Sequence, residues 1–156
     1  MKIRFELKGK PMSQERPRFT GRVRNGRIIS HVYDRQNLMR NLIKFQLRKD
    51  LDMVCAKMPD NGLNFRSAPA YHVSMTFHFK PAKRHGVKEI MKMVANEVPC
   101  TNKNDVDNLA KFYLDAANQV LFHDDKMVSS LSCEKVWGIE EKVIIEISPF
   151  KPKENL

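Results

Sequence analysis

Residues 71–79 read YHVSMTFHF. Tyr71, Val73, Met75, Phe77 and Phe79 alternate strictly with His72, Ser74, Thr76 and His78. Successive side chains of a strand point to opposite faces, so this spacing predicts a β-strand with one buried side. His72 and His78 fall on the polar side and read as exposed strand residues, not metal ligands. Moving outward, residues 1–8 alternate in the same way, with Ile3, Phe5 and Leu7 against Lys2, Arg4, Glu6 and Lys8. Gly9, Pro11 and Pro17 end that strand. Two further strands are expected around 127–136 and 141–147, the second carrying the β-branched run KVIIEIS.

The intervening segments have helical spacing. One helix is expected from Asp34, a good N-cap, to about Met58. Leu38, Leu42, Phe45, Leu51 and Val54 would form its core stripe. Arg40, Lys44 and Arg48 lie on another face, either solvated or turned to a partner. A second helix is expected over 107–120, with Val106, Leu109, Tyr113, Ala116, Ala117 and Val120 on its buried side. The order β-α-β-(loop)-α-β-β predicts an α+β fold, an α/β sandwich: a mixed sheet of about four strands with two main helices packed on it. Residues 1–156 contain no internal repeat and no linker, so one domain is expected.

Charge narrows the function classes. The chain of 156 residues carries a formal net charge of +10, with a pI of about 9.7. Residues 1–49 hold fourteen Lys or Arg against three acids, Glu6, Glu15 and Asp34, an excess as large as that of the whole chain. A basic excess of this size points to a polyanion, most often nucleic acid. An anionic membrane surface would call for a basic amphipathic helix with aromatic anchors, which is not evident. No apolar run approaches the roughly 20 residues of a membrane helix, and MKIRFELKGK has no apolar signal core, so a cytoplasmic protein is expected. Cys55, Cys100 and Cys133 are odd in number, far apart and without a CxxC pair, which suggests neither a zinc site nor a disulfide framework.

The basic residues cluster. RPRFTGRVRNGRIIS places Arg16, Arg18, Arg22, Arg24 and Arg27 around an expected Asn25-Gly26 turn, a hairpin or loop suited to phosphates. Residues 80–104 are polar, basic and bounded by Pro81 and Pro99. They predict a mobile, substrate-facing loop with a short helix around 87–95.

Against this background the acids stand out. Residues 105–108 read DVDN, and Asp124 and Asp125 follow the second expected helix. One reading is local: Asp107 or Asp105 caps the helix, Asp105 beside it favours the helix dipole, and Lys111 makes an i, i+4 salt bridge. The other is chemical. Asp105 and Asp107 can point to one side, and Asp125 or Asp124 can return to the same place. Three carboxylates beside a basic surface suit Mg²⁺-assisted phosphodiester hydrolysis. Lys111, one turn beyond Asp107, would neutralise charge developing on the phosphate. An EF-hand is excluded by the missing Gly and distal Glu, and no Ser has nucleophile-elbow context.

The stretch DVDNLAKFYLDAANQVLFHDD resembles the RusA family of Holliday junction resolvases, found in bacteria and their prophages. The family pattern is matched by Asp105, Asp107, Asn108, Lys111, Asp115, Ala116, Asp124 and Asp125. GKPMSQERPRF resembles the family's Gly-x-Pro…Arg-Pro-Arg segment. The resemblance implies that Asp105, Asp107 and Asp125 bind Mg²⁺ or Mn²⁺, with Asp124 as a substitute, and that Lys111 is required for catalysis. Arg16, Arg18, Arg22, Arg24, Arg27 and Lys103 would hold DNA. It further implies a homodimer that nicks the two strands of a four-way DNA junction symmetrically, in recombination and repair, with no organic cofactor and no membrane partner. A nuclease of other branched DNA, or a non-catalytic junction-binding protein, are the rival readings.

Overall fold

The computed structural model describes residues 1–16 and 18–151, with residues 31–33 described in backbone only. Pro17, one of the expected breakers, lies outside them. Strands β1 (Ile3–Lys8), β4 (Tyr71–Phe79), β5 (Val128–Trp137) and β6 (Lys142–Pro149) form one mixed sheet in the order β1-β6-β4-β5. Strands β2 (Arg18–Arg24) and β3 (Arg27–Tyr33) form a separate two-stranded ribbon. The helices are α1 (Asn37–Cys55), α2 (Leu63–Arg66), α3 (Val87–Val94) and α4 (Val106–Ala117). This is the expected α+β architecture, with the expected hairpin and short helix present as the ribbon and α3, and with α2 added.

β4 sits inside the sheet, antiparallel to β6 and parallel to β5. Its odd-numbered residues are buried, with Val73, Met75 and Phe77 all at 0% exposure. They share the apolar face with Val143, Ile145 and Ile147 of β6 and with Ile3, Phe5 and Leu7 of β1. α4 closes that face through Leu109, Phe112 and Tyr113, the Tyr113 ring lying 5.7 Å from Phe77. His72 and His78 do fall on the opposite face, but they are half-buried, not exposed. Strands on both sides of β4 shield them. The His72 Nδ1 lies 2.8 Å from Ser130 Oγ, and burial lowers the pKa of His78.

α1 departs from its expected stripe. Leu38, Leu42 and Phe45 are 72%, 54% and 70% exposed. The buried line is Leu47, Leu51 and Cys55, flanked by half-buried Ile43 and Val54. Nor does Asp34 cap the helix. α1 begins at Asn37 after Gln36, and the Asp34 carboxylate accepts from the Gln36 N–H at 2.9 Å and pairs with Arg40. α1 has apolar residues around more than one face, and contact with α4 and β1 selects the one that is covered. Between α1 and α2, Gly62 takes φ +78, and a Cβ there would lie 2.4 Å from Cys55 Sγ. Only glycine fits that turn without displacing a core side chain.

Candidate active site

α4 begins directly after the sequence CTNKN. Asp105 occupies its N-cap position with extended backbone (φ −72, ψ 136), yet its side chain makes no capping bond. Asp107 lies in the first turn. Among the described residues neither carboxylate accepts a hydrogen bond or joins an ion pair, and the Asp107–Lys111 salt bridge is not formed. Asp105, Asp107 and Lys111 are all exposed. Of the local account, the capping bond and the helix-surface pair are not formed, while both carboxylates do sit at the positive end of the α4 dipole.

The later acids divide. Asp124 caps a 3₁₀ turn, Asp125–Met127, by accepting from the Lys126 N–H at 3.0 Å. That backbone N–H holds the Asp124 carboxyl below its usual pKa, helped by a hydrogen bond with the Asp125 side chain and then by Lys126 Nζ at 3.5 Å. Asp125, the first residue of the turn, is exposed. Its carboxylate is the less committed of the two to the capping role. Among the described residues, no group of three or more His, Cys, Asp and Glu side chains converges to hold a metal ion. The donor chemistry nevertheless suits a hard cation: Asp105 and Asp107 present unshared carboxylate oxygens two residues apart.

The basic ribbon has two unlike faces. Asn25 and Gly26 both take positive φ, 52 and 72, which makes the two-residue I′ turn that Asn-Gly favours. Arg22 stands opposite Ile29 and Arg24 opposite Arg27. Strand alternation puts Arg18, Arg22, Arg24 and Arg27 on one face and Phe19, Val23 and Ile28 on the other. All are exposed. Like charges directly opposite each other, as at Arg24 and Arg27, repel and are relieved by an anion.

The roots of this ribbon are tied to the acidic helix. Gln36, buried at 5% exposure, donates from Nε2 to the Ser13 carbonyl at 2.8 Å and accepts from the Glu15 N–H at 2.9 Å. That joins the chain entering the ribbon to the chain leaving it. Ser13 Oγ then donates to Asn104 Oδ1 at 2.9 Å, and the Gln14 N–H donates to the Asn108 carbonyl at 2.9 Å. Residues 13–14 thus touch both sides of Asp105. Arg40, expected on a second helix face with Lys44 and Arg48, is turned inward: it pairs with Asp34, reaches Gln14 Oε1 at 3.3 Å and lies 6.0 Å over the Phe112 ring. Arg16 and Lys103 are exposed.

Sequence reasoning missed the framework residues Ser13, Gln36, Asn104 and Lys135. A signal existed for the last. Lys135 pairs with Phe77 and so occupies the apolar parity of its strand, a poor place for an ammonium without a purpose.

The family model described as Endodeoxyribonuclease RusA matches residues 8–148. The chain is also similar to the uncharacterized protein YqaN of Bacillus subtilis (strain 168), at 27% identity over 145 residues, which is 93% of this chain and 94% of that protein. The match over residues 8–148 runs from the end of β1 to β6 and contains the whole acidic segment, so the chain belongs to the RusA endodeoxyribonuclease family and is a hydrolase of DNA phosphodiester bonds.

Proposed function

We propose that this protein is a divalent-cation-dependent resolvase of four-way DNA junctions. It works as a cytoplasmic homodimer in recombination and repair, and one catalytic domain spans the chain. The observation that carries this reading is the start of α4. There Asp105, Asp107 and Lys111 stand exposed and uncommitted, bonded through residues 13–14 to a ribbon with an arginine face.

Each residue has a distinct role in this reading. Asp105 and Asp107 would hold Mg²⁺, or Mn²⁺ in its place, and Asp125, which does not converge with them in this structure, would supply the third carboxylate. When bound, the cation supplies Lewis-acid polarisation of the phosphoryl group and a water of lowered pKa. Lys111 places its ammonium one turn along α4 from Asp107, where it offsets charge gathering on the phosphate oxygens. Arg16, Arg18, Arg22, Arg24, Arg27 and Lys103 neutralise backbone phosphates, and they bring a polyanion up to acids that would otherwise repel it. A junction with two-fold symmetry and two cuts calls for two sites related by a two-fold axis, hence the dimer.

The test uses an immobile four-way junction and a matched linear duplex, each labelled on one strand, incubated with Mg²⁺ or with EDTA. Paired symmetric nicks in the junction alone, dependent on Mg²⁺, are expected. Equal cutting of flaps or forks would shift the substrate to branched DNA in general. Tight junction binding without cuts in Mg²⁺ and Mn²⁺ would mark a non-catalytic binder.

A further inference from the structure

The chain before Asp105 is held from a second side, by the edge strand β5. Lys135 Nζ donates to the Asn102 carbonyl and to the Asn104 carbonyl, each at 2.8 Å. Two residues on, Trp137 Nε1 donates to the Pro99 carbonyl at 3.2 Å. Both residues belong to the helix-facing parity of β5, opposite Phe77 and Phe79. Within the loop, Asn102 Oδ1 accepts from the Asn104 N–H at 3.1 Å and from Asn104 Nδ2 at 2.6 Å. Residues 99–104 are therefore bound from inside, from Ser13 and from β5. This part of the loop expected to be mobile is anchored to β5 at both ends.

The Asn104 carbonyl is the significant acceptor. It belongs to the peptide group whose nitrogen is that of Asp105. Fixing its direction limits the rotation that aims Asp105. An ammonium suits this task because it donates several bonds at once and is stabilised by carbonyl dipoles on both. A half-buried lysine with no carboxylate partner among the described residues would otherwise lose solvation for nothing.

We infer that Lys135 is a positioning residue: it orients the peptide group preceding Asp105 and so sets where the first acid of α4 points. Trp137 secures the far end of the same loop. The inference rests on the reading of Asp105 as an active-site acid. Displacing a reacting group by about 1 Å can cost on the order of a hundredfold in rate.

The experiment compares wild type with Lys135→Met, Lys135→Arg, Trp137→Phe and Asp105→Asn. Four readouts are taken: melting temperature, amide hydrogen exchange of residues 99–106, Mn²⁺ binding without DNA, and junction cleavage under single-turnover conditions. Lys135→Met is expected to cleave at least tenfold more slowly and bind Mn²⁺ at least threefold more weakly. Its exchange should rise within 99–106 only, with junction affinity in EDTA within twofold of wild type. Lys135→Arg, which keeps several donors on one charge, should recover part of the rate. Trp137→Phe should raise exchange near residue 99 with a smaller rate loss. Wild-type cleavage and Mn²⁺ binding by Lys135→Met would overturn the inference if Asp105→Asn is inactive. An equal loss of melting temperature, binding and cleavage in Lys135→Met, unrelieved by Arg and absent from Trp137→Phe, would also overturn it by making Lys135 merely structural. Full cleavage by Asp105→Asn would instead remove the site reading beneath it.

Discussion

At the scale of single residues, commitment separates the acids. Asp124 gives its oxygens to a backbone N–H, and Asp34 gives its own to Gln36 and Arg40. Asp107 gives its oxygens to none of the described residues, although it lies where a helix-surface ion pair with Lys111 would be easy to form. Asp107→Asn should therefore leave stability almost unchanged and abolish cleavage. It should leave junction binding equal or tighter, because a charge repelling phosphate is gone. Measurable nicking by this variant in Mg²⁺ would refute the assignment. Tyr113 presents the opposite case, a polar atom wholly absorbed by the fold. Its hydroxyl accepts from the Met12 N–H at 3.2 Å, and burial pushes its pKa up to about 12. The neutral phenol is favoured in the folded state, and the unfolded chain loses its proton first, near pH 10. Stability from this group is thus complete below pH 10 and declines as pH rises towards 12, by about 2–3 kcal/mol over that window. Tyr113→Phe should remove this alkaline decline while costing about 1–3 kcal/mol at neutral pH, because the Met12 N–H loses its partner. Urea unfolding at pH 8 and pH 11 checks both halves.

At the scale of elements, legibility follows from how many ways a pattern can be satisfied. Strict alternation has only two phases, and the apolar one must be buried, so the buried residues of β1 and β4 were readable one by one. The Asn-Gly turn was equally readable, since both residues had to take positive φ. α1 was not, because Leu38, Leu42 and Phe45 form as regular a helical stripe as Ile43, Leu47 and Leu51. Only the positions of α4 and β1 decide between them. The site shared this limit: its charged residues were visible, whereas the frame of Ser13, Gln36, Asn104 and Lys135 depends on partners distant in sequence. The structure predicts a clear asymmetry within α1. Leu47→Ala should cost about 2–5 kcal/mol, as core truncations do, whereas Leu42→Ala should stay within about 0.5 kcal/mol. Denaturant titration at low protein concentration, where association is suppressed, would reveal equal losses if the stripe were misassigned. The ribbon gives a second prediction. Arg16→Ala with Arg18→Ala should weaken junction binding and reduce the slope of log K against log salt by about 1–2, since each phosphate that is no longer neutralised lowers it by about 0.9. An unchanged slope would show that this arm does not touch the DNA backbone.

At the scale of the whole molecule, charge and symmetry meet. The basic excess is concentrated in residues 1–49, whereas the acids of α4 lie in the later, nearly neutral part of the chain. Bonds from residues 13–14 to Asn104 and Asn108 bring the two parts together, so a single chain carries one complete pairing of basic arm and acidic helix. A complete pairing within one chain implies that, in the proposed dimer, the two cuts are chemically independent even though binding is shared. Mixing wild type with Asp107→Asn tests this directly. A supercoiled plasmid bearing a cruciform becomes linear when both strands are cut during one binding event, and becomes a nicked circle when only one is. Wild-type dimers should yield mainly linear product. Mixed dimers, purified through two different tags, should yield mainly nicked circles, with the rate of the first cut about half that of wild type. Linear product from mixed dimers would mean that one site can serve both strands in turn. No cutting at all would mean that each site depends on Asp107 of both chains, and the two sites would then not be independent.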